Sequence, residues 1–116
     1  MPTAITQEAL DAVLDAHPKL NDNGYGAARG YDYDTEAGHQ RLRGLLGEVQ
    51  QCADWLHAQP WQSRLTSRSI TSYGAKHAVE RAGADYVCNG ALIAAALILD
   101  MPIKLEGLNP RIGIAG

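Results

Sequence analysis

Apolar residues recur at helical spacing along much of the chain, beginning close to the N-terminus. Leu10 and Leu14 lie four residues apart and follow Thr6, whose hydroxyl group suits the N-cap of a helix. Pro18 lies just beyond them and cannot continue a helix. The pattern therefore predicts a first helix over residues 7–16.

The longest apolar stripe predicts a single second helix over residues 36–58, with Thr35 as its N-cap. Gly44 and Gly47 fall inside this segment, where each glycine weakens a helix by up to about 1 kcal/mol relative to alanine. We expect a closely packed neighbouring helix to make these glycines tolerable. The stripe consists of Leu42, Leu45, Leu46, Val49, Cys52, Ala53 and Leu56.

Two more helices are predicted in the second half of the chain. Ser72 is the expected cap of a helix over residues 73–82, and Asn89 that of a helix over residues 90–99. The last helix is apolar on all sides, which is typical of a buried helix rather than a DNA-reading one. An aspartate in place of Ile93 is therefore expected to unfold the protein.

The remaining segments are rich in turn residues. Residues 18–34 indicate a long loop or arm, which is either a flexible contact surface or a plain solvated connection. Residues 103–106 and 111–114 flank a turn at 107–110 and suggest a short C-terminal β-hairpin. The predicted fold is mostly α, a single domain over residues 1–116 with about four helices and this hairpin.

Composition and charge narrow the class of protein. The chain has 116 residues and a net charge of −3, so it lacks the chain-wide basic charge of a dedicated nucleic-acid binder. Its longest apolar run is far shorter than the ~20 residues that span a bilayer, and the N-terminal residues lack the basic start and apolar stretch typical of a signal peptide. We expect a cytoplasmic protein without membrane contact, in which Cys52 and Cys88 are reduced core thiols. Trp61 and the apolar fourth helix also suggest a homodimer.

Polar and basic residues gather immediately before the apolar fourth helix. Such a cluster suits binding to phosphate or carboxylate groups, with hydroxyl groups assisting, although ion pairs on a helix surface would give the same pattern. Acidic residues concentrate instead in the first third of the chain. Charge reversal of Lys76 is expected to impair function more than folding. The candidate binding residues are Arg64, Arg68, Ser72, Tyr73, Lys76, His77 and Arg81, together with Asp32 and Asp34.

Catalytic and metal sites are not indicated. A Ser–His–acid arrangement needs residues that converge from distant parts of the chain, but Ser72, His77 and Glu80 are all local in sequence. The sequence contains neither a CxxC nor an HxxxH motif, and Cys52 and Cys88 lie far apart, so no zinc site is predicted. We expect a protein that is not an enzyme and that holds no metal or cofactor.

Three motifs give the chain a family resemblance. They are Ser-Tyr-Gly-x-Lys-His-x-x-Glu (residues 72–80), Tyr-Val-x-Asn-Gly-Ala-x-Ile-Ala-Ala-Ala-Leu (86–97) and Asn-Pro-Arg-Ile-Gly-Ile (109–114). Together they resemble small uncharacterised proteins carried by bacterial phages, plasmids and integrative elements. The resemblance covers residues 68–114, with Cys88 where Ser is usual and Pro110 where Ala is usual. It brings no assigned activity, so no functional residue is transferred.

The resemblance implies an accessory protein of a mobile element that acts by binding a macromolecule. One role is the inhibition of a host defence effector by protein–protein contact, as in anti-CRISPR proteins. The acidic first third, including Asp32, Asp34 and Glu36, would then compete for a nucleic-acid channel. The alternative is a nucleic-acid-binding accessory protein or transcriptional regulator that uses the basic residues between 64 and 81. Net acidity favours the first role and the local basic cluster favours the second.

Overall fold

The computed structural model of the chain describes residues 4–27, 34–83 and 85–115. Within these ranges there are five helices and two small antiparallel sheets. The helices are α1 (Gln7–Ala16), α2 (Thr35–Arg43), α3 (Leu46–His57), α4 (Ser72–Arg81) and α5 (Asn89–Ile98). The strands are β1 (Leu20–Asn21), β2 (Gly24–Tyr25), β3 (Ser69–Thr71), β4 (Ile103–Lys104) and β5 (Arg111–Ala115).

Helix α5 lies at the centre of the molecule, as its apolar sequence predicts. It packs against α1, α3 and α4 and also touches the β1–β2 hairpin. Its residues from Asn89 to Ala96 are all buried. This chain's own elements therefore cover α5 from Asn89 to Ala96, whereas Leu97 and Ile98 at its C-terminal end are half-buried. The homodimer stays a prediction.

The predicted single helix over residues 36–58 is wrong, because the chain breaks between α2 and α3. The backbone N–H groups of Gly44 and Leu45 donate to the carbonyl groups three residues earlier, at 3.0 Å each, so the helix tightens and ends. The break lets both Leu42 of α2 and Val49 of α3 point fully into the core. The count of helices therefore rises from the expected four to five in the described part of the chain.

Three of the four predicted helix caps are displaced by one residue. Thr6 caps α1 as predicted, through a 3.1 Å hydrogen bond from the Ala9 N–H. Asp34 rather than Thr35 caps α2, and Thr71 rather than Ser72 caps α4. Cys88 caps α5 through its sulfur atom, where Asn89 was expected. In each case the residue just before the predicted cap also has a side-chain acceptor. Apolar periodicity alone does not show which of the two adjacent residues is the cap.

Part of the predicted loop over residues 18–34 is structured. Leu20 pairs with Tyr25 and Asn21 with Gly24, which joins β1 and β2 in an antiparallel hairpin. Leu20 and Asn21 are fully buried, so this part of the segment is not a solvated connection. Residues 28–33 of the predicted loop lie outside the described residues.

The C-terminal strands belong to a sheet of three strands rather than to an isolated hairpin. Strand β5 is central, with β3 on one side and β4 on the other, and both pairings are antiparallel. Strand β3 is only three residues long and carries no clear alternation, which explains why the sequence pattern did not predict it. None of the described helices is long and apolar enough to cross a membrane.

Gly90 allows β1 to approach the N-terminus of α5. A Cβ atom at Gly90 would lie 1.9 Å from the carbonyl oxygen of Asn21, which is far inside van der Waals contact. The Gly90 N–H in turn donates to the Asp22 carbonyl at 3.2 Å. The hairpin is thus held directly against the start of the central helix.

We predict that Gly90→Ala lowers the free energy of unfolding by at least about 3 kcal/mol, because the backbone of β1 must move away. Gly47→Ala is the matched control, since Gly47 also occupies the second position of its helix and a Cβ there meets nothing within 4 Å. The control should be neutral or stabilising by up to about 1 kcal/mol. Urea denaturation followed by circular dichroism measures both; equal stability of the two variants would contradict the close approach.

Ile93→Asp is predicted to remove at least about 4 kcal/mol, because it places an unpaired carboxylate among fully buried side chains. Thermal melting by circular dichroism should show no cooperative transition. Ala12→Asp, at an exposed position of α1, should melt nearly as the wild type does. A cooperative wild-type melt for Ile93→Asp would show that α5 is not the core.

Candidate binding site

One face of α4 carries four polar or aromatic side chains at the spacing of successive helical turns. Tyr73, Lys76, His77 and Glu80 are separated by three, one and three residues, which brings them onto one side of the helix. Of these, Lys76 is buried, with a side chain only 8% exposed. A buried ammonium group is costly unless charged and polar groups surround it, so its neighbours define the site.

The Lys76 ammonium group is held by one carboxylate and by aromatic rings. Its Nζ donates to Glu80 Oε2 at 3.2 Å, and it lies 4.5 Å from the ring centroid of Tyr86 and 5.9 Å from that of Tyr73. Such cation–π contacts contribute about 0.5–2 kcal/mol, depending on desolvation. Among the described residues, Glu80 is the only oxygen acceptor for this group. Two of its three N–H donors therefore remain available for a ligand.

Glu80 ties α4 to the segment that precedes α5. Besides Lys76, its carboxylate accepts a hydrogen bond from the Val87 N–H at 3.3 Å and contacts His77 Nδ1 at 3.1 Å. Partial burial raises the pKa of Glu80, but the hydrogen bonds from Lys76 and Val87 and the nearby positive charge outweigh it. The pKa of Glu80 consequently lies below its usual value.

A pocket of about 340 Å³ opens beside Lys76. The β1–β2 turn, α4, the start of α5 and the segment before β5 each contribute to its walls. Its lining residues are Asp22, Asn23, Tyr73, Lys76, Tyr86, Asn89, Leu108 and Asn109. The site thus collects residues from four separate parts of the chain.

Asn89 joins the pocket walls. Its Nδ2 donates to the carbonyl of Asn23 at 3.1 Å, to Asn109 Oδ1 at 2.7 Å and more weakly to the Leu108 carbonyl at 3.4 Å. These three acceptors orient the amide, and its buried Oδ1 has no hydrogen-bond partner among the described residues. Two walls of the pocket are thereby held in place by a single side chain.

Two exposed tyrosines flank the buried lysine. Tyr73 is 51% exposed and Tyr86 68% exposed. Tyr73 packs edge-on against His77, with ring centroids 4.5 Å apart. We use the term tyrosine surface for Tyr73, Lys76, His77 and Tyr86. It presents two exposed aromatic rings next to a buried ammonium group.

The structure separates the other residues that the sequence nominates. Arg64, Arg68 and Arg81 are exposed, but Arg68 precedes β3 and Arg81 ends α4, a helix about 15 Å long. They do not form one basic patch with Lys76. Asp34 is exposed and caps α2, whereas Asp32 lies outside the described residues.

Two of the sequence-based expectations need correction. Ser72 is fully buried and its hydroxyl has no hydrogen-bond partner among the described residues, so it is not part of the binding surface. Lys76 is buried beside Glu80, so its replacement by glutamate would oppose two carboxylates and impair folding as well as function. Tyr86 and Asn89 line the pocket but were not nominated. For Asn89, the available sequence signal was a single polar residue at the start of an otherwise apolar helix.

The described residues show no arrangement typical of catalysis or metal binding. His77 contacts Glu80 but no serine hydroxyl, so the local Ser–His–acid set is not assembled. Within the described ranges, no group of three or more His, Cys, Asp or Glu side chains could hold a metal ion. Both cysteines are free and buried, and burial raises the pKa of the Cys88 thiol to about 12.

The lowered pKa of Glu80 predicts a pH-dependent contribution to stability. The ionised carboxylate stabilises the fold above the unfolded pKa of about 4.3, and this contribution disappears as the pH falls through the lower folded pKa. Glu80→Gln should therefore be less stable than the wild type at pH 7, and the difference should be smaller at pH ~3. Urea denaturation at both pH values measures it. Glu106→Gln, from an exposed pair with Lys104, should show little difference at either pH.

No family model, curated protein or solved structure matches the chain. What the pocket binds is therefore inferred from the side chains that line it.

Proposed function

We propose that the protein is a non-enzymatic binding protein of the cytoplasm and that its tyrosine surface contacts a protein partner. The observation that carries this proposal is the pair of exposed tyrosines that lie next to the buried Lys76–Glu80 pair. Tyrosine is enriched among the residues that dominate binding energy at protein interfaces. Its side chain has only two χ angles, so ordering it on binding costs little conformational entropy.

A protein partner fits this surface better than a nucleic acid does. The tyrosine surface has two basic residues, Lys76 and His77. Glu80 already balances the charge of Lys76. The exposed Arg64 and Arg68 precede β3, whereas Arg81 ends α4. Phosphate binding depends on several free positive charges along one face, and the net charge of −3 opposes it.

Within this proposal, the partner is an effector of a host defence system, and the protein acts as an inhibitor of the anti-CRISPR type. The support for this identity is the resemblance of residues 68–114 to proteins of mobile elements, together with the acidic first third of the chain. A small protein that occupies an effector's surface needs no catalytic group. A nucleic-acid accessory role remains the alternative.

The proposal predicts that Tyr86→Ala abolishes inhibition while leaving the protein folded. Truncation of a dominant interface tyrosine costs about 2 kcal/mol or more, which weakens binding about 30-fold. The assay is the transformation efficiency of a targeted plasmid in hosts that express CRISPR effectors, with and without the protein. Wild type should restore transformation and Tyr86→Ala should not, with circular dichroism confirming the fold.

The double variant Arg64→Ala/Arg68→Ala is the control, because it removes exposed charge outside the tyrosine surface. It should inhibit as the wild type does. Loss of function in this variant together with full activity of Tyr86→Ala would support the nucleic-acid role instead. A wild-type protein that protects against none of the effectors would rule out the proposed defence target.

A further inference from the structure

The pocket beside Lys76 shares lining residues with two other pockets. A second pocket of about 260 Å³ shares Asp22, Asn23 and Tyr86 with it and continues to Leu45, Glu48 and Cys88. A third pocket of about 480 Å³ shares Asn109 with it. The third pocket is lined by Leu65, Thr66, Ser67, Thr71, Lys104, Glu106, Asn109 and Arg111. We use the term groove for these three adjoining pockets.

Charge changes sign along the groove. The end beyond Tyr86 contains the carboxylates of Asp22 and Glu48 and no basic lining residue. Asp22 is bound by Arg41 at 2.9 Å, whereas Glu48 accepts a hydrogen bond from the uncharged Cys88 N–H at 2.8 Å and has no ion-pair partner among the described residues.

The opposite end of the groove is basic. It contains Lys104 and Arg111 against a single acid, Glu106, which pairs with Lys104 at 3.5 Å and leaves one excess positive charge. Arg111 is anchored by a hydrogen bond from Nη1 to the Ser69 carbonyl, which holds its guanidinium group at the pocket wall. The groove therefore has an acidic end and a basic end.

The middle of the groove is suited to a neutral hydrogen-bond acceptor. Lys76 has two N–H donors without an acceptor among the described residues, yet Glu80 already balances its charge. A second anion would be repelled by Glu80 in this partly buried position, whereas a carbonyl oxygen would not. The amides of Asn23 and Asn109 line the same pocket. Peptide backbone supplies the matching carbonyl and N–H groups.

We propose that the groove binds an extended peptide segment of the protein partner, with a basic side chain at the acidic end and an acidic side chain at the basic end. This inference rests on the proposed function, since it specifies the chemistry of the same partner. A five-residue extended segment spans about 17 Å, which is half of the longest dimension of the molecule, 35 Å. A single-stranded nucleic acid fits less well, because its phosphates would meet the Glu48 carboxylate.

The test uses blocked synthetic peptides of five residues with a central tyrosine, titrated into ¹⁵N-labelled protein. Two peptides carry one lysine and one glutamate at opposite ends, in the two possible orders, because the chain direction is not specified. Two others carry lysines only or glutamates only, and oligo-dT is the nucleic-acid probe. One of the mixed-charge peptides should bind about threefold to tenfold more tightly than either uniform peptide. It should shift the side-chain amide signals of Asn23, Asn89 and Asn109.

Charge-neutralising variants assign the two ends of the groove. Glu48→Gln should weaken the contact with the lysine end of the peptide, and Lys104→Gln the contact with its glutamate end. Each variant should lower the affinity for the mixed-charge peptide about threefold. Asp54→Asn, an exposed position of the same helix as Glu48, and Lys19→Gln are the matched controls outside the groove. Both controls should bind the mixed-charge peptide as the wild type does.

Equal binding of all four peptides, absence of shifts at millimolar peptide, or tighter binding of oligo-dT would each overturn the inference. The Tyr86→Ala assay distinguishes failure of the peptide proposal from failure of the proposed function. If Tyr86→Ala abolishes inhibition while no peptide binds, the partner uses the tyrosine surface without placing a segment in the groove. If Tyr86→Ala inhibits normally, the proposed function itself is wrong.

Discussion

The contact between β1 and the start of α5 is the constraint on which the site depends. Gly90 has no side chain, so the Asn21 carbonyl can lie where any Cβ atom would be excluded. That approach carries Asp22 and Asn23 to the N-terminus of α5, and Asn89 then bonds across to the Asn23 carbonyl and to Asn109. Without the approach, the pocket would lose one wall.

The Lys76–Glu80 pair is a second such feature, because it positions neighbouring groups more than it stabilises the fold. A buried ion pair often contributes little net free energy, because desolvation offsets attraction. Here each partner also fixes something else: Glu80 binds the Val87 N–H, and Lys76 lies against the Tyr86 ring. The pair thus positions Val87 and the exposed Tyr86 just before α5.

The local sequence pattern was sufficient to predict part of the fold. Periodicity and cap residues predicted α1, α4 and α5 to within about a residue, since these helices have a clear apolar face or are apolar throughout. The break at Gly44 was missed because the apolar stripe continues across it: Leu42 and Val49 both face the core, although in separate helices. Helical periodicity cannot distinguish one long helix from two that share a core.

The candidate site was harder to predict, because tertiary contacts decide its members. The sequence nominated Tyr73, Lys76 and His77 as binding residues, and helical spacing alone places them on one side of α4. It missed Asn89, whose partners lie 20 and 66 residues away along the chain. It also treated Lys76 as exposed, because nothing local indicates that Tyr86 and Glu80 enclose it.

Cys88 gives the site an internal reporter. Its sulfur caps α5 and lines the acidic end of the groove, yet the thiol is buried and its raised pKa keeps it protonated at neutral pH. Cys52 lies deeper, fully enclosed between α3 and its neighbours. A thiol reagent therefore meets Cys88 only when the start of α5 opens and Cys52 only when the core itself opens. The two labelling rates separate local breathing of the binding groove from unfolding of the whole chain.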